Sequence, residues 1–524
     1  MCWEKTIEEV EKGWLSNPRP LGAVTGNTVP LTPRFLIPEQ HGEGEAKTRL
    51  IGDFSVSGLN SLLATVDTNI PDNLDVLLAV STYYKLIAPG ADLRATVFDY
   101  KGAYKNIPIC REQLDFASIL IAPPTGELQV CQLRVLPFGP RRSPANWARM
   151  AGFIQWVAMN VAKLFLAVFV DDCYTVEPCS TIDSAFVVLN AINAAVGLPL
   201  APDKGSEPTE NLCLLGAQIT FASDFVEAAL PRRKAVDLIH DLRPVLQRGS
   251  LSPAQAAKLR GRLGWAQSLF FGRFGRARLA PFSARQYASI SGKARLPTEL
   301  AEVIPWWMAH LDAPAPRRIY FANTKPTVVY TDACGSGQLG ATIHIERQRH
   351  VFDTHAPRWF NEETGIFEKE QAGAILGLLA AILLAPGAPV LLICDNSGAC
   401  ATVVRGSSKT VLGRRLASVF WSIAASCGVA VWVEQVASAL NDADAPSRFC
   451  PLSEDPKTRS AGSQGPPLDF RKIFPTKASL LEAQYKFKQG VADFGSPFPC
   501  DFANNEPGLN KAETNGADCP RLNT

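Results

Sequence analysis

The chain has 524 residues, of which 47% are hydrophobic and 19% are charged. This length exceeds what one hydrophobic core usually supports, so at least two domains are predicted, and the composition excludes a chain that is disordered throughout. The net charge of +2 gives no indication of nucleic-acid binding by itself, because phosphate binding needs a local surplus of Lys and Arg. The 13 cysteines form no CxxC pair, which argues against a zinc knuckle or a disulfide framework and favours a reducing compartment.

The first 45 residues combine a short amphipathic start with extended chain rich in Pro and Gly, and we interpret them as a lead-in segment. Residues 1–15 are charged and lack the apolar core of a signal peptide. The sequence therefore predicts an intracellular protein, located in the cytoplasm or the nucleus.

Three carboxylates in the N-terminal half follow predicted strands. The strand at residues 95–98 leads into Asp99, and the strand at residues 165–170 leads into the adjacent Asp171 and Asp172. Neighbouring carboxylates at the end of a buried strand repel each other unless a cation or solvent neutralises them. These acids are therefore candidate ligands of a divalent metal, and an ordinary solvated turn is the alternative.

Residues 226–312 are predicted to be helical and basic. Ser252-Pro253 opens one helix, since a capping residue precedes Pro at the first helical position. Between Arg232 and Arg278 there are eleven Lys or Arg and only two acids, which indicates a phosphate-facing surface or, as the open alternative, a solvated helical face. We interpret the tandem Trp306-Trp307 as core or interface packing rather than as a stacking surface.

A second α/β unit is predicted over residues 313–449. Its strand at 327–331 is followed by a small-residue turn and a returning apolar strand, which predicts a hairpin. Residues 372–394 carry no charge over a length sufficient to cross a bilayer, but Pro and Gly interrupt the run. We therefore predict a helix ending near Ala385, a turn and a buried strand at 390–394 rather than a membrane span.

Carboxylates also punctuate this second unit, with Glu370 expected to open the apolar helix. Each acid alone is commonplace, because Asp and Glu suit strand ends and first helical turns. Their succession is not commonplace, and both Asp442 and Asp444 are candidates for the last position. The candidate acids are Asp332, Glu370, Asp395 and Asp444.

The surroundings of the first acids resemble motifs of reverse transcriptases over residues 10–311. Residues 96–104, TVFDYKGAY, resemble the first catalytic motif of that family, and residues 169–172, FVDD, resemble its Tyr-x-Asp-Asp box with Phe in place of Tyr. The LPFG sequence at 136–139 is similar to the motif that contacts template and incoming nucleotide. Residues 49–54 resemble the fingers segment.

The resemblance implies a right-hand polymerase with fingers, palm and helical thumb, which joins a primer 3′-hydroxyl to a nucleotide α-phosphate by two-metal chemistry. Asp99 and Asp171 would hold Mg²⁺, with Mn²⁺ as an alternative, while Asp172 tunes the charge or the primer position. Tyr104 would exclude a ribose 2′-hydroxyl, and Lys204 is a candidate acid for the pyrophosphate, or a solvated turn residue. The residues implied for nucleotide binding are Lys47, Arg49, Tyr104, Phe138, Gly139 and Lys204.

The acids of the second unit, followed by an Ala-Asp-x-x-Ser-Arg ending, resemble the ribonuclease H domain of retroelements over residues 327–448. The resemblance implies two Mg²⁺ ions that cleave the RNA strand of an RNA-DNA hybrid. The His that many members carry just before the last Asp has no match here, and the Ser447-Arg448 spacing favours Asp444 over Asp442. The metal ligands so implied are Asp332, Glu370, Asp395 and Asp444.

The basic helical segment resembles a polymerase thumb, which lies along the minor groove of a primer-template duplex. The implied partners of the chain are an RNA template, a DNA primer, an RNA-DNA hybrid and deoxynucleoside triphosphates. The residues implied for nucleic-acid binding are Lys258, Arg260, Arg262 and Arg273.

The sequence thus predicts an α+β multidomain protein, a right-hand polymerase followed by an α/β ribonuclease H-like domain, from a mobile element of the long-terminal-repeat or DIRS type. A catalytically silent, co-opted protein that binds RNA-DNA hybrids is the alternative, against which the seven candidate acids argue. The predicted divisions are a lead-in at 1–45, fingers and palm at 46–225, thumb or connection at 226–312, the ribonuclease H-like domain at 313–449 and a flexible tail at 450–524.

Overall fold

The chain, in a computed structural model, divides into two compact units. The first unit is Met1–Ala228 with Arg318–Phe321, and the second is Ala229–Arg317 with Ala322–Thr524. Helices and several sheets make the chain a mixed α+β protein. The residues that the structure describes are 2–23, 30–39, 47–64, 71–124, 126–198, 200–201, 205–289, 295–321, 325–448 and 463–464.

The first unit is built around sheets. Its helices and strands, in chain order, are α1 (Cys2–Glu11), β1 (Arg19–Pro20), β2 (Leu31–Glu39), β3 (Lys47–Gly52), α2 (Leu59–Leu62), α3 (Leu74–Ile87), β4 (Leu93–Asp99), β5 (Ser118–Ile121), β6 (Gln129–Gln132), α4 (Ser143–Trp156), β7 (Ala167–Phe169), β8 (Asp172–Pro178), α5 (Ile182–Ala195), β9 (Asn211–Leu214), β10 (Ala217–Phe221), β11 (Phe225–Ala229) and β12 (Arg317–Tyr320). The described strands form sheets of order β1-β6-β5-β2-β3, β4-β8-β7 and β12-β11-β10-β9.

The segment interpreted as a lead-in is built into the five-stranded sheet. Leu15 is buried and bridges Leu133, and α1 packs against the same core through Trp3 and Val10. The strand β2 pairs with β3 on one side and with β5 on the other. The boundary predicted at residue 45 therefore separates two hydrogen-bonded strands. The two prolines within β2 obscure its strand pattern, because Pro is depleted from strand interiors.

The three-stranded sheet carries the first group of acids. The strand β4 runs antiparallel to β8, with Asp99 directly opposite Asp172. The strands β7 and β8 form a hairpin that closes with the pair Phe169 and Asp172. The strands predicted at 95–98 and 165–170 are confirmed, although the second is shorter than predicted.

The second unit begins with helices and continues into a six-stranded sheet. Its helices and strands are α6 (Arg232–Arg248), α7 (Pro253–Ser268), α8 (Ala280–Gln286), α9 (Thr298–Asp312), β13 (Thr327–Ala333), β14 (Gln338–Ile345), β15 (Gln348–His355), α10 (Arg358–Glu363), α11 (Ile366–Leu384), β16 (Val390–Cys394), α12 (Ser397–Arg405), α13 (Val411–Ser426), β17 (Val431–Gln435), α14 (Asp444–Ser447) and β18 (Ser463–Gln464). The strand order is β17-β16-β13-β14-β15-β18.

The helical part confirms two predictions. The Ser252 hydroxyl accepts a hydrogen bond from the backbone N–H of Gln255, and the Gln255 side chain accepts one from the backbone N–H of Ser252. This reciprocal cap starts α7 where it was predicted. Trp306 and Trp307 are both buried and contact Phe274 and Phe270, so they pack a core.

The apolar run of the second unit is a buried helix and a strand. The helix α11 ends at Leu384 and β16 begins at Val390, which confirms the predicted helix, turn and strand. No helix among the described residues is long and apolar enough to span a membrane. Of the predicted tail, β18 pairs with β15, and the other residues after Arg448 lie outside the described part.

The helices and the sheet of the second unit are packed together. Gly272 has a φ of +56°, and a Cβ there would overlap the ring of Trp421, so the contact requires glycine. The buried Arg278 donates a hydrogen bond to the hydroxyl of Ser418 across 3.2 Å. The boundary predicted at residue 312 therefore lies inside one compact unit.

Candidate active sites

A tight turn presents the first group of acids. Val170 and Asp171 connect β7 to β8, and Asp171 is exposed at the turn. Val170 has a φ of +57°, which is strained for a β-branched residue. The indole nitrogen of Trp147 donates a hydrogen bond to the Val170 carbonyl oxygen across 2.5 Å. The sequence offered no local signal for this contact, because Trp147 lies on another element.

Negative charge accumulates around this turn. Residues directly opposite on antiparallel strands bring their side chains close together, so Asp99 and Asp172 repel each other when both are ionised. Burial raises the pKa of the Cys173 thiol to about 12, and Asp172 and Asp171 add to that effect. Burial also raises the pKa of Tyr104, and Asp171 raises it further. A divalent cation bound by the carboxylates would offset this charge.

Two aromatic side chains lie together beside the acids. Tyr104 stands on a 3-10 turn, Ala103–Asn106, and is buried, with its ring centroid 5.0 Å from that of Phe138. Gly139 follows with a φ of +118°, and a Cβ there would lie 2.6 Å from the carbonyl oxygen of Gly52. Only glycine allows that approach. The structure thus brings the predicted Tyr104, Phe138 and Gly139 together next to the end of β3.

Of the three basic residues predicted to bind the nucleotide, the structure describes the positions of two. Arg49 is exposed on β3, opposite Ile37 of β2. Lys47 is the first residue of the same strand. Lys204 lies outside the described residues.

The second group of acids meets where neighbouring elements end. The strands β13 and β16 run parallel, with Thr331 opposite Cys394, so Asp332 and Asp395 follow at the same edge of the sheet. The helix α11 lies close to β13, since a Cβ on Gly373 would be 3.1 Å from the carbonyl oxygen of Asp332. Glu370 is the fifth residue of α11, one turn inside the helix, so the expectation that it opens the helix is wrong. The expectation was wrong because the uncharged, apolar run begins at residue 372, whereas the helix begins at Ile366.

Burial and mutual repulsion raise the pKa of two of these acids. Burial raises the pKa of Asp332 to about 6, and the charges of Asp395 and Asp444 contribute to the increase. Burial raises the pKa of Glu370 to about 9, and Asp332 and Asp395 add to it. The four predicted acids therefore interact electrostatically as one cluster.

This cluster offers oxygen ligands to a hard cation. Within the described ranges, one set of three metal-ligating side chains brings its ligand atoms within 4.8 Å of one another, namely Glu370, Cys394 and Asp395. A hydrogen bond with Cys400, and burial, raise the pKa of Cys394, so this residue stays a neutral thiol. Carboxylate oxygens without thiolate suit Mg²⁺, which favours hard ligands.

The structure separates the two candidates for the last acid. Asp442 accepts hydrogen bonds from Nε and a terminal nitrogen of Arg349, both at 2.9 Å, and lies 2.8 Å from His344. Asp444 is the first residue of α14 and pairs with Arg448 across 2.5 Å. Since the charge of Asp444 acts on Asp332, Asp444 is the candidate that belongs to the cluster.

Ser447 is a neighbour of the cluster that the sequence did not assign. Its hydroxyl donates a hydrogen bond to the carboxylate of the buried Asp332. A Cβ on Gly340 of β14 would lie 2.5 Å from the backbone nitrogen of Ser447, so the last helix lies tightly against the sheet. The sequence analysis used the pair Ser447-Arg448 only to choose Asp444 over Asp442, and it assigned no role to the Ser447 hydroxyl.

The predicted nucleic-acid ligands of the basic helices differ in their surroundings. Lys258 is exposed on α7, and Arg260 donates a hydrogen bond to Ser283 across 2.6 Å. Arg262 forms an ion pair with Asp241 of α6. Arg273 is exposed and donates to the carbonyl oxygen of Val404 across 3.1 Å. Arg260, Arg262 and Arg273 thus all have contacts within the protein.

Comparison with known proteins gives structural similarity alone. No protein-family model and no curated protein sequence matches the chain. The chain is similar to a foamy viral protease-reverse transcriptase dRH in complex with double-stranded DNA, at 14% identity and a TM-score of 0.46, over 81% of this chain and 68% of the other. It is also similar to a foamy viral protease-reverse transcriptase in complex with double-stranded DNA. The sequence identity is 15% and the TM-score is 0.47, over 83% of this chain and 82% of the other. A third similar structure is the foamy viral protease-reverse transcriptase in complex with an RNA/DNA hybrid. The sequence identity is 14% and the TM-score is 0.45, and the match covers 83% of this chain and about half, 53%, of the other.

Proposed function

We propose that the chain is an RNA-directed DNA polymerase with ribonuclease H activity, from a mobile element of the long-terminal-repeat or DIRS type. The observation that carries this proposal is the presence of a separate group of carboxylates at strand ends in each of the two units. Each group suits two Mg²⁺ ions held roughly 3.5–4 Å apart, the arrangement used for phosphoryl transfer. Asp99 and Asp171 would hold the metals of polymerisation, and the cluster around Asp332 those of cleavage.

The protein's own groups would handle substrate and product. Tyr104, packed against Phe138, would lie beneath the sugar of a deoxynucleoside triphosphate and exclude a 2′-hydroxyl. Arg49, and in the same role Lys47 and Lys204, would contact the triphosphate. The basic face that includes Lys258 would contact the backbone of the primer and the RNA template. For a protein with these activities we propose a location in the cytoplasm or the nucleus.

The test follows both strands in one reaction. The purified chain receives a labelled DNA primer on a differently labelled RNA template with Mg²⁺ and deoxynucleoside triphosphates. The wild type is expected to extend the primer and shorten the RNA. Asp171→Asn should abolish extension alone, and Asp395→Asn should abolish RNA shortening alone. A wild type that binds the hybrid but does neither would overturn the proposal in favour of a silent hybrid-binding protein.

A further inference from the structure

An ion cluster connects the N-terminal helix α1 to the five-stranded sheet and to the turn that carries Tyr104. The carboxylate of Glu9 on α1 accepts a hydrogen bond from Nζ of Lys105 across 3.0 Å and pairs with the guanidinium of Arg34 on β2. The side chains of Glu9, Lys105 and Arg34 are only 14%, 9% and 5% exposed. The charges therefore depend on one another rather than on water.

The carboxylate is the element that holds this cluster together. Burial alone raises the pKa of Glu9, but Arg34 and Lys105 outweigh it and lower the pKa below its usual value, so Glu9 is ionised. Burial lowers the pKa of Lys105, and Glu9 opposes that change. Without Glu9, two buried cations would lie close together without the carboxylate that neutralises them, which is unfavourable.

Both cations lie next to residues that are predicted to bind the nucleotide. Lys105 follows Tyr104 in the same 3-10 turn. Arg34 is paired with Gly52, whose carbonyl oxygen faces Gly139. The same helix α1 also reaches β3 directly, because Lys5 donates a hydrogen bond to the carbonyl oxygen of Thr48. One helix thus touches the strand of Arg49 and the turn of Tyr104.

We propose that Glu9 is a positioning residue for nucleotide selection, which fixes the Tyr104 turn relative to β2 and β3 through Lys105 and Arg34. This inference rests on the proposed polymerase function. Discrimination against a ribose 2′-hydroxyl depends on how closely the Tyr104 ring approaches the sugar. Since small displacements in a site have large kinetic effects, a looser turn admits ribonucleotides more readily.

The experiment compares single-nucleotide incorporation of dATP and ATP by the full chain on an RNA template. Glu9→Gln keeps the shape of the side chain and removes its charge, and it is expected to lower the ratio of kcat/KM for dATP to that for ATP at least about tenfold. Glu9→Asp keeps the charge and should recover part of the ratio. Glu8→Gln is the matched control, because Glu8 is exposed on the same helix and pairs only loosely with Lys12 at 3.7 Å. The Tm of each variant checks that it is folded.

The outcomes separate this inference from the proposed function. An unchanged ratio in Glu9→Gln, with a wild type that extends primers, overturns the positioning role alone. A wild type without extension overturns both. If Glu9→Gln does not fold, the double variant Glu9→Gln/Lys105→Gln removes one of the two buried cations that Glu9 neutralises, and it must show the same loss of discrimination for the inference to stand.

Discussion

The indole nitrogen of Trp147 donates a hydrogen bond to the carbonyl oxygen of Val170 across 2.5 Å. Trp147 is fully buried in α4, whereas Val170 is the strained residue directly before Asp171. A β-branched residue at positive φ costs on the order of 1–3 kcal/mol and persists only when its surroundings hold it. The buried indole contacts the turn at this strained residue, and we expect it to help fix the position of Asp171.

Replacing that indole should therefore weaken polymerisation selectively. Trp147→Phe keeps an aromatic ring but leaves the Val170 carbonyl without its donor, so we expect unfolding to become easier by about 1–3 kcal/mol. Primer extension should fall about tenfold or more, while RNA shortening stays within about twofold. Trp156→Phe, at an exposed position of the same helix, is the control. Equal extension rates for the two variants would show that the hydrogen bond does not position Asp171.

The local pattern was sufficient to predict strands and the acids that end them. In β4 and β16, apolar residues fill a core and the first acid marks the point where the strand leaves it, so Asp99 and Asp395 were found from sequence alone. Pro and Gly between residues 384 and 390 likewise separated α11 from β16. Such features depend on neighbouring residues, which a sequence displays directly.

Contacts between residues far apart in the chain could not be predicted from the sequence. Ser447 reaches Asp332 across 115 positions, and Glu9 reaches Lys105 across 96. No local pattern distinguishes such a serine or glutamate from a solvated one, since the partner is fixed only by the packing of whole elements. The pairing of β2 with β3 was missed for a similar reason, because strand pairing depends on partners outside the strand.

Removal of the Ser447 hydroxyl should shift the pH dependence of the proposed ribonuclease H activity. Burial raises the pKa of Asp332, and the hydrogen bond from Ser447 partly opposes that effect. In Ser447→Ala the pKa of Asp332 rises further, so the ionised, metal-binding form appears only at higher pH. At subsaturating Mg²⁺ the acid limb of the cleavage rate profile should move up by about one pH unit.

The control for that shift is Ser422→Ala. Ser422 is also buried, but its hydroxyl donates to the Ser418 carbonyl within α13. Its profile should coincide with that of the wild type. Superimposable profiles for Ser447→Ala and Ser422→Ala would mean that Ser447 does not tune Asp332.

Glu370 should make the metal-free protein less stable as pH rises. Its pKa is raised from 4.5 to about 9 in the folded chain, so between these values the folded state holds a proton that the unfolded state has lost. Stability is therefore lost progressively across that window. Glu370→Gln removes this loss, and with EDTA at pH 8 its Tm should exceed that of the wild type by at least about 2 °C.

The same comparison at pH 5 supplies the internal check. There Glu370 is protonated in the folded chain and the advantage of Glu370→Gln should almost vanish. Glu346→Gln, at an exposed turn position, should follow the wild type at both values. A constant difference between Glu370→Gln and the wild type from pH 5 to pH 8 would contradict a buried, protonated Glu370.

Replacement by Asn should mainly lower the stability of the fold at Asp442 and mainly lower RNA cleavage at Asp444. Asp442→Asn loses the paired hydrogen bonds from Arg349, so unfolding should become easier by about 1–3 kcal/mol, with cleavage of the hybrid within about threefold of the wild type. Asp444→Asn removes a carboxylate that acts on Asp332, and we expect cleavage to fall at least about 100-fold at low Mg²⁺ with little change in Tm. Denaturant unfolding and hybrid cleavage measured on both variants decide the assignment. The reverse pattern, with activity lost in Asp442→Asn and kept in Asp444→Asn, would move the fourth metal ligand to Asp442.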